Sequence, residues 1–197
     1  MFALLPSKSH AIVQLRVQQV GGDVVVTGSG SANTSALIPE GSDNTWANVF
    51  SNAQVYAGPD AFSDGNVGLW IGLSGPLIVG NDPSVFENPS SGSGELFGVL
   101  ANNGSNQSRL VLPDGYSSGA NLTGSSIFTG STLAHFGLTA GQISVWLWGS
   151  GANADSLRLE VLAPAPATVP APLPIAGAAA AFPICRRLRR LNRQSPA

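Results

Sequence analysis

"IVQLRVQQVGGDVVVTG", residues 12–28, decides the fold class. Val13, Leu15 and Val17 alternate with Gln14, Arg16 and Gln18, the period-two pattern of a strand with one face in a core. Gly21-Gly22-Asp23 breaks the pattern, and the apolar residues resume at Val24, so the stretch predicts a β-hairpin. Short apolar runs continue from there at turn-like intervals: WANVF from Trp46, AQVYA from Ala53, VGLWIGL from Val67, PLIVG from Pro76, ELFGVL from Glu95, SRLVLP from Ser108, SSIF from Ser125, ISVWLW from Ile143 and LRLEVL from Leu157. Gly, Pro, Asn, Asp and Ser fill the gaps between them. The expected fold is all-β, an antiparallel β-sandwich of jelly-roll type. Helix is expected only near STLAHFGLTAG, where Ser131 or Thr132 caps a turn or two ending at Gly137.

Composition agrees. A chain of 197 residues with 24 Gly, 14 Pro and only 10% charged residues suits many short strands joined by turns. The net charge of −2 hides an asymmetry. Residues 12–162 hold all 11 acidic side chains against Arg16, Arg109 and Arg158, a net −8, while five arginines follow between 186 and 193. An acidic body argues against nucleic acid as a partner, because phosphate contacts need a basic face. The single cysteine, Cys185, lies outside that body, so the domain has no internal disulfide and no cysteine-based zinc site.

Several patterns inside the domain touch on chemistry. Gly115-Tyr116-Ser117-Ser118-Gly119 matches G-x-S-x-G, but a nucleophile elbow needs a helix directly after the serine, and ANLTGSS has no helical period. His135 is the only histidine between residues 12 and 162, and is expected in a local turn. Asp60 and Asp64 begin a D-x-x-x-D-G run like the start of a calcium loop, but Phe62 and Ile71 stand where ligands belong. A structural calcium ion among Asp60, Asp64, Asp82, Glu87 or Asp155 is the weak alternative to turn initiation by Asp; no other cofactor is expected. Glu87, Glu95, Asp114 and Asp155 are the carboxylates from which a glycosidase pair would be drawn. Trp146 and Trp148, two apart, share one face of their strand. Exposed, they would stack on sugar rings; the packing of small sandwiches favours them in the core. Ile143, Val145 and Leu147 make the other face apolar too, which predicts a central strand.

The ends read as targeting segments. MFALLPSKSHA, residues 1–11, resembles the tail of an export signal, with Ser9-His10-Ala11 as a small-x-small cleavage site. Residues 163–174 carry five prolines and predict an extended spacer. Residues 175–185 are uncharged and predict a short hydrophobic, transmembrane helix, brief for a bilayer of roughly 30 Å, the alternative being that residues 175–193 form an amphipathic basic tail on a membrane surface or an acidic partner. Arg186, Arg187, Arg189 and Arg190 would hold the 186–197 tail on the cytoplasmic side of a membrane.

Val169-Pro170-Ala171-Pro172, then a short Gly/Ala-rich apolar run, then Arg-Arg-Leu-Arg-Arg resembles the sorting signal of PEP-CTERM proteins. Residues 108–162 are also similar to passenger regions of that family, with LVLPDGY, the GLTAG turn, a tryptophan-rich strand and GSGANADS in order. The resemblance implies export in a Gram-negative bacterium, an inner-membrane intermediate, and processing by an exosortase. The product would be a non-catalytic protein of the cell surface or extracellular matrix, associated with exopolysaccharide. The alternatives are a carbohydrate-binding module using Trp146, Trp148 or Trp70 and, more weakly, a surface hydrolase.

Overall fold

The computed structural model describes residues 12–45, 47–50, 53–60, 66–81, 85–101 and 106–166. Among the described residues thirteen strands follow one another: β1 (Ile12–Val20), β2 (Asp23–Ser31), β3 (Ile38–Asn44), β4 (Val49–Phe50), β5 (Gln54–Ala57), β6 (Asn66–Leu73), β7 (Phe86–Glu87), β8 (Ser91–Gly94), β9 (Phe97–Leu100), β10 (Ser108–Pro113), β11 (Asn121–Phe128), β12 (Ile143–Trp148) and β13 (Asp155–Val161). They form two sheets, one ordered β12-β13-β1-β2-β11-β8 and the other β3-β6-β10-β9-β5-β4-β7. The protein is an all-β sandwich. Pairing is antiparallel except between β1 and β13, where the first and last strands lie side by side in parallel. The rest of the domain connects them, long enough for either strand direction.

The opening hairpin forms where the sequence places it. β1 and β2 pair from Val20↔Asp23 outward around Gly21 and Gly22, with Gly21 at φ +62°, a conformation glycine adopts freely. Val13, Leu15 and Val17 are fully buried, as are Val24 and Val26 opposite. They join Leu157, Leu159, Trp146 and Phe128 in one core against Val55, Phe97, Val99, Leu110 and Leu112 of the second sheet. Each such side chain contributes about 1.5–3 kcal/mol by leaving water, so the β1–β2 and β13 pattern supplies much of the folding energy without a disulfide.

Two glycines let the sheets interlock. Gly28 of β2 and Gly124 of β11 are register partners, and both face the ring of Phe97 on β9. A Cβ on Gly28 would stand 2.5 Å from Phe97 Cζ, and one on Gly124 would stand 3.2 Å from Phe97 Cε1. The paired glycines form a dimple, and the ring fills it.

Two expectations need correction. PLIVG, from Pro76, is not a strand: residues 75–80 run as bends alongside β12. Nor is β12 central, since it is an edge strand of its sheet. The two errors have one cause. Ser74 forms an isolated bridge to Leu147, each N–H donating to the other's carbonyl at 2.8 Å. Beyond it, Gly75 packs where a Cβ would meet Val145 O at 2.7 Å, and Gln142 Nε2 donates to Val79 O at 2.5 Å. Residues 74–79 therefore act as a strap that covers the edge of β12, one way to keep an edge strand from pairing with another chain. The strap leaves Ile143, Val145 and Leu147 exposed on the outer face.

The STLAHFGLTAG segment is a turn, not a helix. Thr132 Oγ1 accepts from His135 N at 3.1 Å, and Gly137 closes the turn at φ +61°.

Candidate functional site

β12 alternates strictly, with Ser144, Trp146 and Trp148 inward and Ile143, Val145 and Leu147 outward. Trp146 is fully buried; its Nε1 donates to Pro76 O at 2.8 Å and lies 3.2 Å from Ser108 Oγ. Trp148 is 3% exposed and donates from Nε1 to Asn33 O at 2.8 Å. A sugar ring cannot stack on either, so their candidacy as stacking residues is corrected. The sheet needs large apolar groups on its inner face, and the buried indole N–H groups find backbone carbonyls there.

The G-x-S-x-G segment is a loop between β10 and β11 that locks onto the turn after β2. Tyr116 Oη accepts from Ala32 N at 2.9 Å and donates to Ala120 O at 2.6 Å. Burial raises the Tyr116 hydroxyl above its ordinary value, the Ala32 backbone hydrogen bond opposing this. Ser118 Oγ accepts from Thr34 N at 3.0 Å, and Gly119 N donates to Ala32 O at 2.8 Å. The buried Asp155 carboxylate closes the same end, accepting from Asn33 N at 2.6 Å and Ser156 N at 2.7 Å. The loop is followed by β11 and not by a helix, so the elbow geometry is not met here.

The remaining candidate carboxylates are spread over the molecule. Glu87 accepts from Ser131 Oγ at 2.7 and 2.8 Å and lies 3.3 Å from His135 Nε2, which ties β7 to the turn before β12. Glu95 accepts from Thr123 N at 3.2 Å. Asp60 is exposed, and Asp64 and Asp82 lie outside the described residues. Among the described residues no three His, Cys, Asp or Glu side chains come together as a metal site.

One arrangement does bring a half-buried aromatic together with exposed polar groups. β3 is exposed along its whole length, forming a ledge beside β6. Ser42 on β3, Gly68 on β6 and Leu112 on β10 are laterally in register, so their side chains share the face that carries the core residue Leu112. Gly68 has no side chain to block that row, and Ser42 Oγ donates across it to Asp114 Oδ1 at 3.3 Å. Trp70, two residues along β6, is half-buried against the core, and its indole lies over Gly68, with Nε1 3.2 Å from where a Gly68 Cβ would stand. That Nε1 is buried without a hydrogen-bond partner. Sequence reasoning singled out Trp70 but missed Ser42 altogether and had Asp114 only as one carboxylate among several. Nothing in IPEGSDN announces a strand, and only the pairing of β3 with β6 brings Ser42 to Gly68.

On the opposite face of β6, Arg109 of β10 holds Glu40 of β3 through two hydrogen bonds, from Nε to Oε2 and from Nη2 to Oε1, the second at 3.0 Å. This bond lowers the Glu40 carboxyl below its ordinary value.

The sorting residues Val169, Pro170, Ala171 and Pro172, the apolar segment 175–185 with its expected helix, and Arg186, Arg187, Arg189 and Arg190 lie outside the described residues, as do residues 1–11. Among the described residues no helix is long and apolar enough to cross a membrane. No protein-family model, curated protein or solved structure matches the chain.

Proposed function

We propose that this protein is an exported, non-catalytic β-sandwich passenger, processed by an exosortase at Val169–Pro172 and acting at the cell surface or in the exopolysaccharide matrix of a Gram-negative bacterium. The observation that carries this reading is the order of features after the last strand. β13 completes the sandwich at Val161, and residues 164–174 then carry five prolines and the Val169–Pro172 motif. A processing enzyme that recognises an extended motif needs it clear of folded structure, and a domain closed by its own strands survives removal of its tail.

The acidic, cysteine-free body supports the same division. Its 11 carboxylates contrast with the five arginines after residue 185, which suit a membrane-orienting flank. The G-x-S-x-G loop is occupied in closing one end of the sandwich, which favours a structural or binding role over a surface hydrolase.

Intact-mass spectrometry of the protein from an exosortase-bearing host tests the reading. The expected species begins near Ile12 and ends near Val169, and substitution of Pro170 and Pro172 by Ala leads to accumulation of a longer, membrane-associated form. Full-length protein in the cytosol would overturn it.

A further inference from the structure

We propose that the ledge between β3 and β6 binds a neutral polysaccharide chain, with Trp70 as the stacking platform and Asp114 and Ser42 as partners for sugar hydroxyls. The inference goes beyond the sorting assignment and does not depend on it.

A sugar ring presents an apolar C–H face and a rim of hydroxyls, so a site for it needs an aromatic surface and hydrogen-bonding groups on one side of the protein. The ledge has both. Trp70 is half-buried, whereas Trp146 and Trp148 are sealed in the core. Asp114 and Ser42 are exposed and hydrogen-bonded at 3.3 Å, and Ser42 is the register partner of Gly68, over which the indole nitrogen lies. A carboxylate accepts strongly from hydroxyls, and a serine both donates and accepts, which matches a ligand whose hydroxyls do the same.

The unanswered Nε1–H of Trp70 is an independent sign. Buried donors without partners are rare in folded proteins, and the two other described inward-facing indoles both find acceptors. Here the donor lies over Gly68, the register partner of Ser42, and a small outward shift of the indole on binding would let a ligand hydroxyl answer it. Shape and charge narrow the ligand class. β3 is exposed along its length, so the ledge suits a chain laid along it better than a single enclosed sugar. Asp114 and the net −8 of residues 12–162 disfavour uronate, sulfate and phosphate polymers.

The test is isothermal titration of the full chain with cellohexaose, mannohexaose and maltohexaose, and with polygalacturonate as the anionic counterpart. At least one neutral hexaose is expected to bind, with affinity little changed between roughly 50 and 500 mM salt. Asp114→Asn, at an exposed site that does not endanger folding, is expected to weaken that binding about tenfold. Trp70→Leu is expected to abolish it, with unchanged far-ultraviolet circular dichroism as the control for folding. Gly68→Ala, which places a methyl 3.2 Å from Trp70 Nε1 and so displaces the indole, is expected to weaken it while leaving Ser42 and Asp114 unchanged. Failure of all three hexaoses to bind overturns the proposal. So does binding of polygalacturonate alone, or hexaose binding that is undiminished in Asp114→Asn.

Discussion

The ring of Phe97 occupies the space above Gly28 that any other residue would fill. A β-carbon there would lie 2.5 Å from Phe97 Cζ and 3.0 Å from Leu15 Cδ2, both in the fully buried core. Gly28→Val is therefore expected to destabilise the protein by about 1–3 kcal/mol through overpacking. Phe97→Ala is expected to cost about 3–5 kcal/mol by leaving the dimple empty. Urea denaturation checks both, and in the double variant Gly28→Val/Phe97→Ala the cost should fall below the sum of the singles, because the valine refills part of the cavity.

Tyr116 fastens the G-x-S-x-G loop to the end of β2. Tyr116→Phe removes the acceptor of the buried Ala32 N–H and the donor to Ala120 O, and should cost about 1–3 kcal/mol, most of it for the unanswered backbone donor. Amide hydrogen exchange at Ala32 and in residues 114–120 should accelerate, while the β1–β13 pairing stays protected. A uniform loss of protection across both sheets would contradict this local role.

Arg109 and Glu40 meet because the strands around β6 are irregular. β3 carries Glu40 as an extra residue between Pro39 and Gly41, and on the other side Arg109 stands opposite Ile71 and Gly72, where β6 has one residue more than β10. The pair is partly exposed, with side chains 18% and 35% accessible, so solvent screens it and the coupling in a double-mutant cycle of Arg109→Met and Glu40→Gln is expected at about 0.2–1 kcal/mol. The bond to Arg109 lowers the Glu40 carboxyl from its ordinary 4.5. That contribution is present above pH 4.5 and disappears as pH falls through the lowered value, so Glu40→Gln should flatten the acid limb of the stability curve slightly.

Tyr56 governs the alkaline side. Burial first, then the charge of Asp43, push its hydroxyl well above the ordinary 10.0, with Arg109 opposing them. The protonated phenol is the form that fits the fold, so stability is complete below pH 10 and is lost as pH rises further, when the unfolded chain releases the proton that the folded chain retains. Denaturant midpoints measured between pH 8 and 11 should fall above pH 10 in the wild type. The fall should be smaller in Tyr56→Phe, which has no phenol to ionise and gives up only the 3.3 Å hydrogen bond to Gln54 Oε1.

Much of this architecture is legible in residue order because a strand with one buried face must alternate. That rule places β1, β2, β12 and β13, and it puts Trp146 and Trp148 on a common face. It fails where side chains carry little hydrophobic signal. β3 reads IPEGSDN and β8 reads SGSG, and both are strands only because a neighbouring strand offers them hydrogen bonds. It misleads in PLIVG, whose apolar residues belong to a strap over an edge, and in ISVWLW, whose two apolar faces suggested a central strand.

The candidate ligand site shows the same division. Trp70 is visible in the sequence as an aromatic in a strand, but its partnership with Ser42 and Asp114 spans residues 42 to 114 and exists only once β3, β6 and β10 lie side by side with glycine in the middle.

By itself, then, the sequence determined the all-β class, the hairpin at Gly21-Gly22, the acidic cysteine-free body and its separation from a basic, proline-led tail, since these follow from period, turn chemistry and charge within short windows. Which tryptophans are sealed in the core, which strand is an edge and which polar groups meet beside β6 was decided only by tertiary structure. Long-range strand pairing sets the lateral neighbours of every residue, and no local pattern encodes them.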